Sequence, residues 1–242
     1  LQYVYDCGAR HSSSDSPLRA AIDTYRSNIE KIDALFVSHL DSDHVDGLDH
    51  LLGSAAVKTV YLPYLDFAAA VLEVCEANEQ GAASASFTQA MLDPARWFGD
   101  RGVEEVVLVR RGTGPPSFEG PLLPEPTPDG SIDDLTFKRS REPSWRKTEN
   151  ILRKELRVGI IQSGFAVLAR TSTGFLDWLL VPYVFPAPQE NRAAFIAELE
   201  RELGGVPRRQ IKVSALVEAL RSKAGRAKIR RCYDKLVRRS IS

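Results

Sequence analysis

Cysteine is scarce in this chain. Cys7, Cys75 and Cys232 are its three, too few and too scattered for a disulfide framework or a Cys-x-x-Cys zinc site. A reducing, cytoplasmic setting is therefore expected. No apolar run approaches the ~20 residues that span a bilayer, so no membrane partner is expected. No cationic stretch followed by an apolar core opens the chain, so no secretory leader is expected either. Net charge is lacking as well: 32 Lys+Arg balance 32 Asp+Glu over 242 residues. With 43% hydrophobic and 26% charged residues, a disordered acidic or basic chain is excluded. The length suits one large domain or two small ones. The opening LQYVYDCG reads as the interior of a fold, and both ends are expected to be trimmed.

The neutral total conceals an asymmetry. Residues 207–242 carry 12 Lys+Arg against two acids, Glu218 and Asp234, whereas the remainder holds 20 basic and 30 acidic residues. A cationic segment is thus attached to an acidic body.

Periodicity points to alternating strands and helices. Tyr3 to Tyr5 reads as a strand, and Leu18, Ile22, Tyr25 and Ile29 fall on one face of a helix over 16–30. Asp33 to Ser38 is a short apolar run of strand length. Val45 to Leu52 reads as a helix, Lys58 to Leu62 as a strand stopped by Pro63. Residues 64–78 and 84–92 read as helices, and Asp93-Pro94 has the N-cap and first-position signature of another. Glu105 to Arg110 is a strand. This alternation predicts an α/β layered fold. Gly112 to Gly130 then holds six prolines and four glycines, the composition of a loop or linker. Phe165 to Ala169 and Trp178 to Val184 read as strands. Residues 189–203 read as a helix closed by Gly204-Gly205, and 214–239 as a mostly helical basic segment.

The chemistry-bearing stretch is Ser38-His39-Leu40-Asp41-Ser42-Asp43-His44-Val45-Asp46-Gly47. It places four metal-capable side chains within six residues, between an apolar strand and a helix. Alternate residues of an extended turn point the same way, so His39 and Asp41 suit one ion. Asp43 and His44, at the turn into the helix, suit a second. Imidazole and carboxylate are ligands for Zn²⁺, Mn²⁺ or Fe. Two such ions activate a water near neutral pH and clamp an attacked phosphoryl or carbonyl group. Gly47 would let backbone pack close beneath the loop. A solvated Asp/His-rich helix cap is the competing reading.

This stretch resembles the metallo-β-lactamase superfamily signature, His-x-His-x-Asp-His, with Asp41 in place of the second histidine. The form His-x-Asp-x-Asp-His is similar to that of the ComEC-like branch, known from DNA-uptake and bacterial defence-associated hydrolases. Tyr5-Asp6-Cys7-Gly8 is similar to the Asp-x-Gly strand end that precedes the signature. The resemblance covers roughly residues 1–110. It implies an αββα sandwich, incomplete in this chain, to which the C-terminal helical basic segment read from charge and periodicity is added. It also implies that His39 and Asp41 bind the first metal and that Asp43 and His44 bind the second. Asp43 would in addition orient the attacking hydroxide as the catalytic residue. Asp41 makes the first site richer in oxygen and tilts it toward Mn²⁺ or Mg²⁺. The family's later histidine has no counterpart, because none follows His50; the branch's Asn-x-x-Ser strand and Gly-Asp turn are also not found. Asp177, in a Trp/Pro-Tyr stretch similar to that of defence-associated relatives, is either a stand-in or a strand-edge aspartate.

The expected organisation is an N-terminal half-domain over 1–110 and a Pro/Gly-rich loop or linker over 111–150. Residues 151–206 would give further strands and a helix of the same domain or an insertion, and 207–242 the basic segment. On the basic segment, Arg221, Lys223, Arg226, Lys228, Arg230, Arg231 and Lys235 (with Arg238 and Arg239 beyond) are candidates for nucleic-acid phosphates, with Tyr233 for stacking. A solvated helix face, or one docked on an acidic surface, is the alternative. His11 is either close to the site or solvated; His50, six residues past His44, is expected to be structural. Cys7 reads as a small buried residue, and Trp97, Trp145 and Trp178 as core or interface anchors. Three functions remain open: a metal-dependent phosphodiesterase or nuclease with two Zn or Mn ions, acting in antiviral defence or DNA processing; a degenerate scaffold subunit of a multi-protein defence complex; and a thioester or lactam-type hydrolase.

Overall fold

The computed structural model describes residues 2–9, 17–40, 42–53, 55–65, 69–71, 73–74, 77, 84–112, 136–139, 144–146, 156–165, 167–170, 176–184, 192–203, 218–219 and 222–241. The chain divides into two compact units. The first comprises Leu1–His39, Asp43–Tyr64 and Ala95–Pro186; the second comprises Leu40–Ser42, Leu65–Pro94 and Ala187–Ser242.

The first unit is α/β. Strands β1 (Tyr3–Tyr5), β2 (Lys31–Phe36), β3 (Ala56–Pro63) and β4 (Glu105–Arg110) lie side by side in chain order. All are parallel, with Tyr5 opposite Phe36, Phe36 opposite Tyr61, and Tyr61 opposite Val107. Helices α1 (Pro17–Arg26), α2 (Ser42–Val45), α3 (Leu48–Leu52) and the later α5 (Pro94–Asp100) fall between them in sequence. Runs such as Val57 and Thr59–Pro63 are buried on both strand faces, the signature of a parallel sheet covered on each side. Parallel pairing puts every strand's C-terminal end on one edge. The backbone continues the ladder there: Asp6 N–H donates to Phe36 O, Val37 N–H to Tyr61 O and Tyr64 N–H to Val109 O, each at 2.8 Å.

The sheet extends beyond β4. Strand β7 (Arg157–Gln162) adds a fifth parallel strand, and β6 (Ser144–Arg146) closes the edge antiparallel to it. Sequence periodicity does not reveal β7, because Gly159 in its middle weakens the strand signal. Strands β5 (Thr136–Arg139) and β6 both lie within the range expected to be linker. Antiparallel β5, β8 (Val167–Arg170) and β9 (Leu176–Leu180) make a second, three-stranded sheet. Ala34, Phe36, Tyr61, Val107, Val109 and Ile161 form one apolar cluster with Val167 of β8, and Leu180 and Val184 pack against it. One cluster thus draws on both sheets. Buried Ile22, Leu48, Leu51, Leu52, Trp97 and Phe98 come from the helices.

The helix expected over Val45–Leu52 is interrupted at Asp46-Gly47, and that over 16–30 ends at Arg26. The strand expected to reach Val184 stops at Leu180, and Pro182, which has no N–H to give a ladder, follows it.

In the second unit, α4 (Ala85–Leu92) begins at Ser84, whose hydroxyl accepts from Phe87 N–H at 3.0 Å, a capping interaction worth about 1 kcal/mol. Helices α6 (Arg192–Leu203) and α7 (Lys223–Ile241) pack on each other and bury Phe195, Leu199, Ile229 and Cys232. Among the described residues no helix is long and apolar enough to cross a membrane.

Candidate metal centre

Two turns meet at the C-terminal edge of the parallel sheet. One is Asp6-Cys7-Gly8, leaving β1; the other runs from Ser38, leaving β2, through α2 to Gly47. Cys7 N–H donates to His44 O and Gly47 N–H to Cys7 O, both at 2.8 Å. The approach is close enough to require glycine twice. A Cβ on Gly8 would stand 2.6 Å from backbone atoms of Asp43 and His44, and one on Gly47 would stand 2.8 Å from the Cys7 sulfur. Gly47 therefore interrupts the helical run for contact with the neighbouring turn. Asp6 adopts φ 56°, the left-handed region that Asp enters more readily than most residues.

The Asp6 carboxylate organises the site. Its Oδ1 accepts from Ser38 N–H at 2.7 Å, and its Oδ2 accepts from the Ser38 hydroxyl at 2.6 Å and from His44 Nδ1 at 2.8 Å. A carboxylate only accepts, so His44 carries its proton on Nδ1 and its basic nitrogen is Nε2. The single hydroxyl proton of Ser38 is spent on Asp6. The 2.8 Å contact between Ser38 Oγ and His39 Nδ1 is then a donation from His39, whose basic nitrogen is also Nε2. One carboxylate therefore sets both tautomers, directly for His44 and through Ser38 for His39. This is the outer-shell arrangement that prepares imidazoles for metal.

Asp6, His39 and His44 each offer a ligand atom within 4.8 Å of the others, and the two imidazole centroids are 3.6 Å apart. Two imidazoles with basic Nε2 atoms suit Zn²⁺ or Mn²⁺, and the Asp6 carboxylate, its oxygens taken by Ser38 and His44, is their orienting partner. Of the four expected ligands, His39 and His44 come together. Asp43 sits on α2 with Oδ1 3.8 Å from His44 Nε2, beside the close set and not in it. Asp41 lies outside the described residues. Asp6 is the member that residue-type reasoning assigned only to a strand end. Its signal was the Asp-x-Gly at that end, but its role depends on a partner 38 positions away.

The other candidates fall elsewhere. Burial, with the Asp6 charge adding to it, pushes the Cys7 thiol up to about 11, so Cys7 is a neutral filler and not a thiolate ligand. His50 Nε2 meets Asp23 Oδ1 at 2.8 Å and the His50 carbonyl accepts from Arg26, which ties α3 to α1. Trp97 is buried under the Arg101 guanidinium, 3.8 Å from its ring centre, with Phe98 edge-on. Asp177 lies on β9. His11, Cys75 and Arg221 lie outside the described residues.

The basic residues from Lys223 to Lys235 lie on α7. Lys235 and Arg231 turn to α6: Lys235 pairs with Glu198, and Arg231 lies 3.6 Å from Glu202. Arg201 also binds Glu198, at 2.5 Å. Hydrogen bonds from Arg201 and Lys235 hold the Glu198 carboxyl at about 2.

Comparison with protein-family models, curated proteins and solved structures gave no match for this chain.

Proposed function

We propose that this chain is a metal-dependent hydrolase of phosphodiester bonds on a metallo-β-lactamase-like layered domain, a nuclease-type enzyme of DNA processing or antiviral defence. The observation that carries the reading is the meeting of Asp6, His39 and His44 at the C-terminal edge of the parallel sheet. Both imidazoles have Nε2 as the basic atom and both are oriented through one carboxylate. The Asp6-Cys7-Gly8 turn packs on the 38–47 loop, in keeping with the resemblance of both segments to that superfamily's motifs.

In this reading His39 and His44, with Asp41 and Asp43, hold two divalent ions, Zn²⁺ or Mn²⁺. Bound there, the ions supply Lewis acidity and a nucleophile at neutral pH. Asp6 and Ser38 keep the imidazoles in register. Asp43 would also orient the attacking hydroxide. The cationic face of α7 would engage backbone phosphates, with affinity that falls steeply as salt is added.

The test is cleavage of plasmid and single-stranded DNA with Mn²⁺. Asp43→Ala is expected to abolish cleavage and leave the circular dichroism spectrum unchanged; equal cleavage by the variant removes the assignment. One observation favours a second reading, a scaffold subunit of a larger assembly: no histidine follows His50. Metal analysis separates the two, since a purified chain that takes up no Zn²⁺ or Mn²⁺ is the scaffold.

A further inference from the structure

A cavity of about 300 Å³ opens at the C-terminal ends of β1–β4, lined by Tyr5, Phe36, Ser38, Tyr61 and Tyr183 together with the Val181-Pro182 segment. We propose that it seats one unpaired nucleobase of a nucleoside phosphate, which deepens the phosphodiesterase reading and rests on it. Four aromatic side chains surround the space. Phe36 and Tyr61 stack on each other across β2 and β3, with ring centres 4.8 Å apart and planes 10° from parallel, and both are buried, so they form a fixed aromatic part of the lining. Tyr5 is 65% exposed and Val181 37% exposed, two of the most exposed large apolar side chains among the described residues. Large apolar groups held in water beside a cavity mark a ligand site. The exposed Tyr5 ring at this cavity suits a nucleobase, because every base has a π-face.

The volume is at the lower end for small-molecule sites. It suits one base, not a base pair, so the base must be unpaired. The position joins this space to the metal centre. Ser38 lines the cavity, and its hydroxyl is the same group that contacts Asp6 and His39. A base seated here carries its phosphate toward the oriented imidazoles.

The far wall is braced in advance. Ser163 Oγ donates to Arg110 O at 2.6 Å and accepts from Val184 N–H at 2.9 Å. Gly164 N–H donates to Pro182 O at 3.1 Å, and Gly112 N–H to Val184 O at 2.8 Å. Gly112 also makes room for Tyr183, since a Cβ there would stand 2.2 Å from the phenol oxygen. Gly112→Ala therefore moves one aromatic wall from a distance.

The experiment is calorimetric titration of the full chain in EDTA with four probes: thymidine 5′-monophosphate, deoxyribose 5-phosphate, single-stranded hexathymidylate and decanoate. Thymidine monophosphate is expected to bind at least tenfold tighter than the abasic sugar phosphate. Tyr5→Ala and Gly112→Ala are each expected to weaken it by about tenfold, in the range of one lost base–aromatic stack, without moving the abasic probe. Hexathymidylate binding as tightly assigns the base to a strand; its failure beside monophosphate binding assigns it to a free nucleotide. Equal affinity for the base-bearing and abasic probes, no effect of either variant, or a preference for decanoate overturns the base seat. Base binding that persists in a chain taking up no Mn²⁺ leaves the seat standing and removes only the hydrolase reading.

Discussion

Asp6 shows how much one side chain decides in this molecule. It sits at a left-handed φ of 56°, at a cost of order 1–2 kcal/mol, and from there its carboxylate reaches three donors on the Ser38–His44 loop. An amide in its place tolerates the same backbone but presents one oxygen instead of two. Asp6→Asn is expected to keep the fold and to lower Mn²⁺ affinity about 10- to 100-fold, as loss of an outer-shell partner does. Titration calorimetry with Mn²⁺ alone checks it, and unchanged affinity would reduce Asp6 to a turn residue. The sequence displays Asp6, but not the tautomers it sets.

At the scale of elements, strand pairing brings charges together. Thr59, Glu105 and Arg157 lie side by side on β3, β4 and β7. Glu105 is 7% exposed and accepts from Arg157 at 2.7 Å and from Thr59 at 3.2 Å. Removing the arginine leaves a buried carboxylate short of a partner. Arg157→Ala is expected to lower unfolding free energy by about 1–3 kcal/mol. Adding Glu105→Gln should recover part of the loss, read from urea midpoints. The helix pair α6–α7 makes a different prediction. Glu198 titrates at about 2 in the folded chain against an ordinary 4.5. A depressed carboxylate contributes stability above its unfolded pKa and loses it as protons bind. The α6–α7 contact should therefore weaken as pH falls from about 4.5 toward 2. Glu198→Gln should flatten that step in helical circular dichroism followed against pH. Because the pair is exposed, buried Phe195, Leu199 and Ile229 are expected to hold the helices together at neutral pH. Helices of this kind were legible from their periodicity. Strand β7 and the break at Gly47 were not, since a glycine hides the first and a neighbouring turn dictates the second.

For the molecule as a whole, parallel pairing places the Asp6 turn, the Ser38–His39 loop and the 181–184 segment on the same edge of the first unit. A ligand that binds this folded edge and not the unfolded chain stabilises by mass action. Mn²⁺ at a hundred times its Kd should raise the melting temperature by roughly 5–10 °C, and EDTA should reverse the shift. A melting curve that ignores Mn²⁺ would argue against a metal centre.

The sequence by itself determined the alternation of strands and helices, the close spacing of His39, Asp41, Asp43 and His44, and the cationic C-terminal segment. Each of these is local, written in neighbouring side chains and their period. Only the tertiary structure decided that Asp6 governs both histidines, that β7 and β6 extend the sheet past a proline-rich stretch, and that Arg231 and Lys235 are turned to α6. It also decided that a cavity walled by aromatic rings adjoins Ser38. Those facts join residues tens of positions apart, and distance along the chain says little about which strand ends will share an edge.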